Sequence, residues 1–327
     1  MENNNSYHRN SSHPLPSDIA GIKTLWQTTF QDSDEFVDFF FKRVYSSENT
    51  LVVKKNGTIV SALQMIPYEI KVADDIIPSA YICGVCTLPS ERGKGLMKSL
   101  MYEAFEYMRQ KGYGITTLIP AHPWLFDFYK NFGYEHPIKY NIEYYSLEHD
   151  SSKQFSQTTT SEHTTVSCQS NINTILTPYS DKYFPYLNNK QCERQCAILH
   201  NAYDIENIIC DLKSDNGNAW ISLHEDTPVG IAFVNPISDN DIIIKDILYD
   251  NTRAKEALIY QALNTHNAKT AKVRVPLQET NTTKISGIAD MRLSGCINKK
   301  TFTYGLACLL DKRINDIKDL YMTLMLD

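Results

Sequence analysis

The sequence has no apolar run long enough to cross a membrane. Its densest hydrophobic stretches, such as Phe39-Phe40-Phe41, fall far short of the ~18 residues a spanning helix requires. It also lacks an excess of positive charge: 32 Lys and Arg stand against 38 Asp and Glu, a net charge of −6. That argues against nucleic acid as the main partner and is compatible with a cationic ligand. Glycine and proline, 13 of each, are too sparse for a collagen-like or proline-rich low-complexity chain. Eight cysteines in a chain too long to need disulfide staples read as reduced thiols in a cytoplasmic protein. Cys192, Cys196 and His200 recur every four residues, but a fourth ligand is missing. The spacing therefore reads as one half-buried helix face, and no metal is expected. Residues 1–14 have no apolar segment of the signal-peptide kind and read as a disordered lead-in.

What is present is enough apolar material for two cores. At roughly 150 residues per domain, 327 residues with 42% hydrophobic content suggest two domains. In the first half, Ser17 is positioned to cap a helix through Trp26, and Ser33 or Asp34 a second through Phe40. Leu51 to Lys54 and Ile59 to Ile66 flank Asn56-Gly57, the signature of a type I′ hairpin. Tyr81 to Leu88 reads as a strand. From Gly95 to Lys111, Leu96, Leu100, Met101, Ala104, Phe105 and Met108 recur at helical spacing. A strand (Ile115 to Pro120), a short aromatic helix (Trp124 to Phe132) and a strand (Lys139 to Leu147) follow. Residues 151–171 are Ser- and Thr-rich and read as a linker.

Residues 172–327 repeat the order. Helical stretches at Phe184 to Asn201 and Ile205 to Lys213 precede strands at Ala219 to His224, Val229 to Val234 and Ile242 to Leu248. A helix (Thr252 to His266) and a strand (Ala271 to Pro276) come next. Gly133-Tyr134 before Tyr140 to Tyr145 corresponds to Gly295-Cys296 before Phe302 to Leu309, a weak internal duplication. Arg313 to Asp327 reads as a helix with a short apolar tail.

The stretch with chemical content is Val85-Cys86-Thr87-Leu88-Pro89-Ser90-Glu91-Arg92-Gly93-Lys94-Gly95-Leu96. A strand ends, a cationic glycine-rich loop follows, and a helix begins. Glycines let successive N–H groups converge, and a helix start adds unpaired N–H donors and a positive dipole end. Such a loop suits a pyrophosphate, yet it is neither a P-loop nor GxGxxG.

On these residues the sequence resembles the GNAT superfamily of acetyl-CoA-dependent N-acetyltransferases. Their loop reads Gln/Arg-x-x-Gly-x-Gly/Ala. Arg92 matches the first position and Gly95 the fourth, while Met97 departs from the small sixth residue, as in the longer Eis-type (enhanced intracellular survival) members. A second match is Phe128-Tyr129-Lys130-Asn131-Phe132-Gly133-Tyr134, which looks like the family's Phe-Tyr-x-x-x-Gly-Phe/Tyr.

The resemblance implies an α/β (α+β) fold, with a mixed central sheet flanked by helices over residues 15–150. It implies acetyl transfer to a primary amine by direct attack through a tetrahedral intermediate, with acetyl-CoA as cosubstrate. Val85, Cys86 and Thr87 would pair with the pantetheine arm; Arg92, Gly93, Lys94, Gly95, Leu96, Met97 and Lys98 would hold the pyrophosphate. Tyr129 would be the general acid to the leaving thiolate, a role its ordinary pKa allows. Cys86 has no neighbouring His or Asp to activate it as a nucleophile.

The general base is open: Glu69, Asp74 and Asp75 are strand-borne candidates, and His122 reads as shaping the turn at Pro123. The Eis-type resemblance adds the C-terminal carboxylate, here at Asp327, after an apolar tail. In the second half the corresponding loop, Tyr249-Asp250-Asn251-Thr252-Arg253-Ala254-Lys255, has no glycine and carries an acid. A degenerate GNAT-like domain is expected there, with a sterol-carrier-like domain as rival. For the whole chain the alternatives are a non-catalytic acyl-CoA-binding or sensor module, or an interaction protein. The acceptor amine and the oligomeric state are open.

Overall fold

The computed structural model describes residues 11–147, 174–279, 293–314 and 317–326; at 174–175 and 293–299 it describes the backbone alone. The proposed linker 151–171, most of the lead-in and Asp327 lie outside the described residues. The architecture is mixed α/β. The chain runs β1 (Ser11–Ser12), α1 (Ile19–Phe30), α2 (Asp34–Arg43), β2 (Thr50–Lys55), β3 (Thr58–Val72), β4 (Asp75–Thr87), α3 (Leu96–Gln110), β5 (Ile115–Leu118), α4 (Pro123–Lys130) and β6 (His136–Leu147). It continues with β7 (Thr174–Pro178), α5 (Phe184–Glu193), β8 (Cys196–Leu199), α6 (Ala202–Ser214), β9 (Asn218–His224), β10 (Thr227–Ser238), β11 (Asp241–Tyr249), α7 (Thr252–Thr265), β12 (Thr270–Val275) and β13 (Leu293–Leu309).

The compact units are assembled from non-contiguous segments. Among the described residues the first takes 11–140, 192–211 and 302–326, and the second 141–147, 174–191, 212–279 and 293–301. In the first unit β2, β3 and β4 form an antiparallel meander. Asn56 and Gly57 take the positive φ values (51° and 79°) that a type I′ hairpin requires. After α3, β5 returns parallel to β4, and β13 pairs antiparallel with β5 through Leu306–Leu309.

Two apolar cores form on the faces of this sheet. One gathers α1 and α2 (Ile22, Leu25, Trp26, Val37, Phe40) with Ile66, Tyr68, Cys86 and the tail residues Met322 and Met325. The other gathers Leu100, Met101, Ala104, Phe105 and Met108 of α3 with Tyr129, Phe132 and Tyr134, the periodic face that the sequence shows. Helix α2 starts as expected: Ser33 accepts from the Phe36 N–H at 3.1 Å. Asp34 and Glu35 lie in its first turn, Lys42 and Arg43 in its last, each complementing the dipole.

Two expectations for the later chain are corrected. The helix expected over Phe184 to Asn201 stops at Glu193, and Cys196–Leu199 is a buried strand antiparallel to Glu69–Val72 of β3. Cys192, Cys196 and His200 therefore share no helix face. A four-residue apolar run has no period long enough to separate helix from strand, and the open edge of β3 decides it. The tail is not helical among its described residues. Tyr321 bridges Ala197 in parallel, exchanging backbone bonds of 3.0 Å with Cys196 and Ile198. Leu320–Leu326 are all buried, and consecutive burial suits an extended segment enclosed on both sides.

The second unit repeats the plan: a meander β9-β10-β11, the helix α7, then β12 parallel to β11. Asn141–Ser146 of β6 pair antiparallel with β12. Its core packs Leu258, Ile259 and Ala262 of α7 on Ile242, Ile244 and Val273. One ion pair is buried within it: Lys255 donates to Glu143 at 2.7 Å, with both side chains almost inaccessible. Tyr145 donates to the same carboxylate oxygen at 2.7 Å. Glu143→Gln leaves the buried ammonium without its counter-charge. It should destabilise the protein by roughly 3–5 kcal/mol in chemical denaturation, and Glu143→Leu with Lys255→Met should recover most of the loss.

Candidate active site

The site is built on an interruption in β4. Its register with β3 slips between Ala62↔Cys86 and Gln64↔Cys83, which leaves Gly84 and Val85 as a bulge. Gly84 sits at φ 59°, and a Cβ there would collide with the ring of Trp26. Only glycine meets both demands. On its other side β4 pairs with β5 over Ser79–Ile82 alone. Residues 83–87 lie beyond that register, so among the described residues the edge they turn away from β3 has no strand partner, the kind of edge an extended ligand can pair with. The far end of the segment is tied down. Ser61 donates to the Cys86 carbonyl at 3.0 Å and its Oγ lies 2.8 Å from the Thr87 hydroxyl. Arg92 Nε donates to the Thr87 carbonyl at 3.1 Å, folding the loop back on the strand.

That loop ends at the start of α3. Gly93 and Gly95 have φ of 75° and 78°, and a Cβ on either would meet nothing within 4 Å. No side chain caps α3. Its first N–H groups therefore have no capping side chain, and Arg92, Lys94 and Lys98 lie close by in the sequence, a donor set suited to an anion. Lys94 also bonds Glu91 at 3.0 Å, and Lys55 bonds the same carboxylate at 3.2 Å; the two hold the Glu91 carboxyl below its ordinary range. Leu96 and Met97 lean on the second core. The bulk of Met97 is thus taken up by packing.

Tyr129 is buried on α4, its ring 5.2 Å from Phe128 and 6.0 Å from Tyr134. Burial, and then the nearby Cys86, raise its pKa well above the phenolic range. Its hydroxyl therefore stays protonated rather than becoming a phenolate. Cys83 and Cys86 form a C-x-x-C pair, yet both are free thiols on one strand. Burial raises both, Cys86 to about 12, so neither is an activated nucleophile. His122 is exposed at the N-cap of α4, before Pro123 at its first turn, as the sequence suggests.

The carboxylates considered as bases fall elsewhere. Asp74 and Asp75 occupy the exposed turn into β4; Asp75 is nine residues from Gly84, roughly 30 Å along a strand. Glu69 is exposed and sits opposite Pro78 and Leu199, about 20 Å from the bulge by the same measure. Asp327 is outside the described residues, but Leu326 is buried and lines a cavity of about 200 Å³ with Ile66, Tyr68 and Asp204. Asp204, on α6, escaped the sequence reading. Its carboxyl is pushed up to about 6 by burial. No local motif marks it, because β8 is what brings α6 into the first unit.

Residues 13–136 match the model of the acetyltransferase (GNAT) domain family. No curated protein matches the sequence. Among solved structures the fold is similar to a probable N-acyltransferase from Enterococcus faecalis, with a TM-score of 0.67 and 14% identity over 92% of this chain and 72% of that one. A GCN5-related N-acetyltransferase from Anabaena variabilis gives the same values. Eis1 from Mycobacterium abscessus has a TM-score of 0.60 and 11% identity over 92% of this chain and 73% of its own. At such identities the likeness concerns the fold, whereas the family match covers the bulge, the glycine loop and α4. Residues 13–136 therefore form a GNAT acetyltransferase domain.

Proposed function

We propose that the protein is an acetyl-CoA-dependent N-acetyltransferase that acts on a primary amine, of a small molecule or a lysine side chain. The observation that carries this reading is the bulged segment of β4, free of β5 and leading directly into an uncapped, cationic helix start. Bound acetyl-CoA supplies an activated acyl group as its thioester. The N–H groups of Gly93 to Lys98 and the Arg92 guanidinium hold its pyrophosphate. Backbone groups of Val85, Cys86 and Thr87 hold the extended pantetheine arm, and a fixed N–H of the bulge stabilises negative charge on the reacting carbonyl oxygen. Tyr129 keeps its proton until the C–S bond breaks and then donates it to the leaving thiolate. For the proton of the amine we propose Asp327, which follows the cavity-lining Leu326. We also propose that the second half is a degenerate GNAT-like domain: the N-terminus of its α7 is already capped by Asn251, which accepts from the Ala254 N–H at 3.0 Å.

Calorimetric titration of acetyl-CoA should show saturable binding that Arg92→Ala weakens by about tenfold or more, with a steeper loss at high salt in the wild type. Absence of binding by folded wild-type protein would overturn the reading. Binding without CoA release across an amine panel would favour an acyl-CoA sensor.

Tyr129→Phe should lower kcat by about 10²–10⁴ while the dissociation constant for acetyl-CoA stays unchanged. The folded pKa of Tyr129 is raised, so its proton remains in place as pH rises. Wild-type kcat should therefore not decline between about pH 8 and 10 through loss of this acid.

A further inference from the structure

The cavity in the first unit lies on the sheet face that carries α1 and α2, opposite α3. Its walls include Ile66 and Tyr68 of β3, Arg43 at the end of α2, Asp204 and Asn207 of α6, and Leu326. We propose that this cavity is the acceptor pocket and that it takes the ammonium end of an aliphatic amine, held by the carboxylate of Asp204; this rests on the acetyl-transfer reading above.

Position supports it. Ile66 pairs with Tyr81, three residues before Gly84, so the cavity lies roughly 10 Å along the strand from the bulge. Ile66, Tyr68 and Cys86 belong to one core, which puts cavity and bulge on the same side of the sheet. An amine seated there can extend toward the opened segment of β4.

Charge supports it as well. Arg43 is the cation in the wall, and it is engaged elsewhere: it pairs with Glu206 at 2.9 Å and donates through Nε to Asn207 at 2.5 Å. Asp204 has one polar partner among the described residues, the Asn201 N–H at 2.9 Å on Oδ2. Among the described residues the pocket therefore holds a half-buried carboxylate without a counter-ion, beside the apolar side chains of Ile66, Ile208 and Leu326. A carboxylate in such a place favours a cation that brings its own apolar stem.

The groups around Asp204 are Arg43 from α2, Tyr68 from β3, Tyr203 and Glu206 from α6, and His200 before it, whose ring lies 5.5 Å from that of Tyr68. Burial raises the Asp204 carboxyl to about 6. The sign follows. The folded pKa exceeds the unfolded one, so ionised Asp204 costs stability above pH 6, and the cost fades as pH falls through that value. A bound ammonium reverses it.

Asp204→Asn is a conservative test. Asp204 and Asn201 exchange backbone capping bonds of 2.9 and 3.0 Å, which an amide oxygen and N–H preserve. 1,4-Diaminobutane and Nα-acetyllysine amide would be titrated into the full chain and into Asp204→Asn at pH 7.5, with and without coenzyme A. Thermal unfolding and acetyl-CoA binding would be measured on the same samples. The proposal expects at least one amine to bind the wild type, and about 10- to 100-fold weaker binding by the variant. Acetyl-CoA affinity should be unchanged and the unfolding temperature equal or higher. Equal amine affinity for both proteins overturns the proposal. So does the absence of amine binding by wild-type protein that does bind acetyl-CoA. Amine binding through Asp204 in a protein that binds no acetyl-CoA keeps the ammonium pocket and refutes the transfer reading.

Discussion

The structure depends on the interruption of one strand. A continuous ladder between β3, β4 and β5 would satisfy every backbone group in the middle of the first unit and leave nothing for a ligand. Instead β4 bulges at Gly84–Val85, and β5 stops pairing at Leu118. Trp26 holds the bulge in place. Its ring fills the space that a side chain on residue 84 would need, and it is itself fixed by Phe40 at 4.8 Å and by a 2.7 Å bond from its indole N–H to Asp32. The helices α1 and α2 thus set the backbone geometry that leaves residues 83–87 unpaired with β5. The surroundings then explain why the cysteines here are quiet. Cys86 is buried and Cys83 partly buried in the same packing that supports the bulge, and desolvation there raises the pKa of both and removes their nucleophilicity.

Much of this was legible in the sequence because it is local. The Asn56-Gly57 hairpin, the Ser33 cap, the periodic face of α3 and the glycine loop each depend on a few neighbouring residues, and each forms where the pattern puts it. What was not legible is non-local. Four apolar residues after a helix, Cys196–Leu199, become a strand because β3 extends far enough to offer an edge. The tail becomes extended because β8 presents Cys196 and Ile198 to Tyr321. Asp204 becomes unusual because β8 carries α6 into the first unit, where burial acts on it. The partners that decide each case, β3 for β8, β8 for the tail, and Arg43, Ile66 and Tyr68 around Asp204, are more than a hundred residues away, and no window of sequence contains both.

The same distance explains why the compact units do not follow chain order. Each has a meander, a helix and a parallel return strand, and each return strand gains an antiparallel neighbour from outside the contiguous block. β5 takes Leu306–Leu309 of β13, and β12 takes Asn141–Ser146 of β6. Asn141–Ser146 of β6 and Leu306–Leu309 of β13 thus each pair with a return strand outside their own stretch of chain. A domain boundary drawn at the Ser- and Thr-rich stretch follows composition, whereas the compact units follow pairing.

The two parallel crossovers offer an internal control for the electrostatics. β4 leads to α3 and β11 leads to α7 in equivalent order, so both helix starts carry the same dipole and the same unpaired N–H groups. At α3 the approach is Arg92-Gly93-Lys94-Gly95: positive φ at both glycines, no capping side chain, and three cations nearby. At α7 Asn251 caps the first turn, and Asp250 is fixed beside it by Lys190 at 2.9 Å. An anion approaching α7 would have to displace a capping side chain, while at α3 no side chain caps the first turn and the nearby Glu91 carboxylate is held by Lys94 and Lys55. Helix geometry alone makes neither end a binding site. The difference lies in which residues precede the first turn, and it leaves an uncapped terminus at α3 and a self-satisfied one at α7.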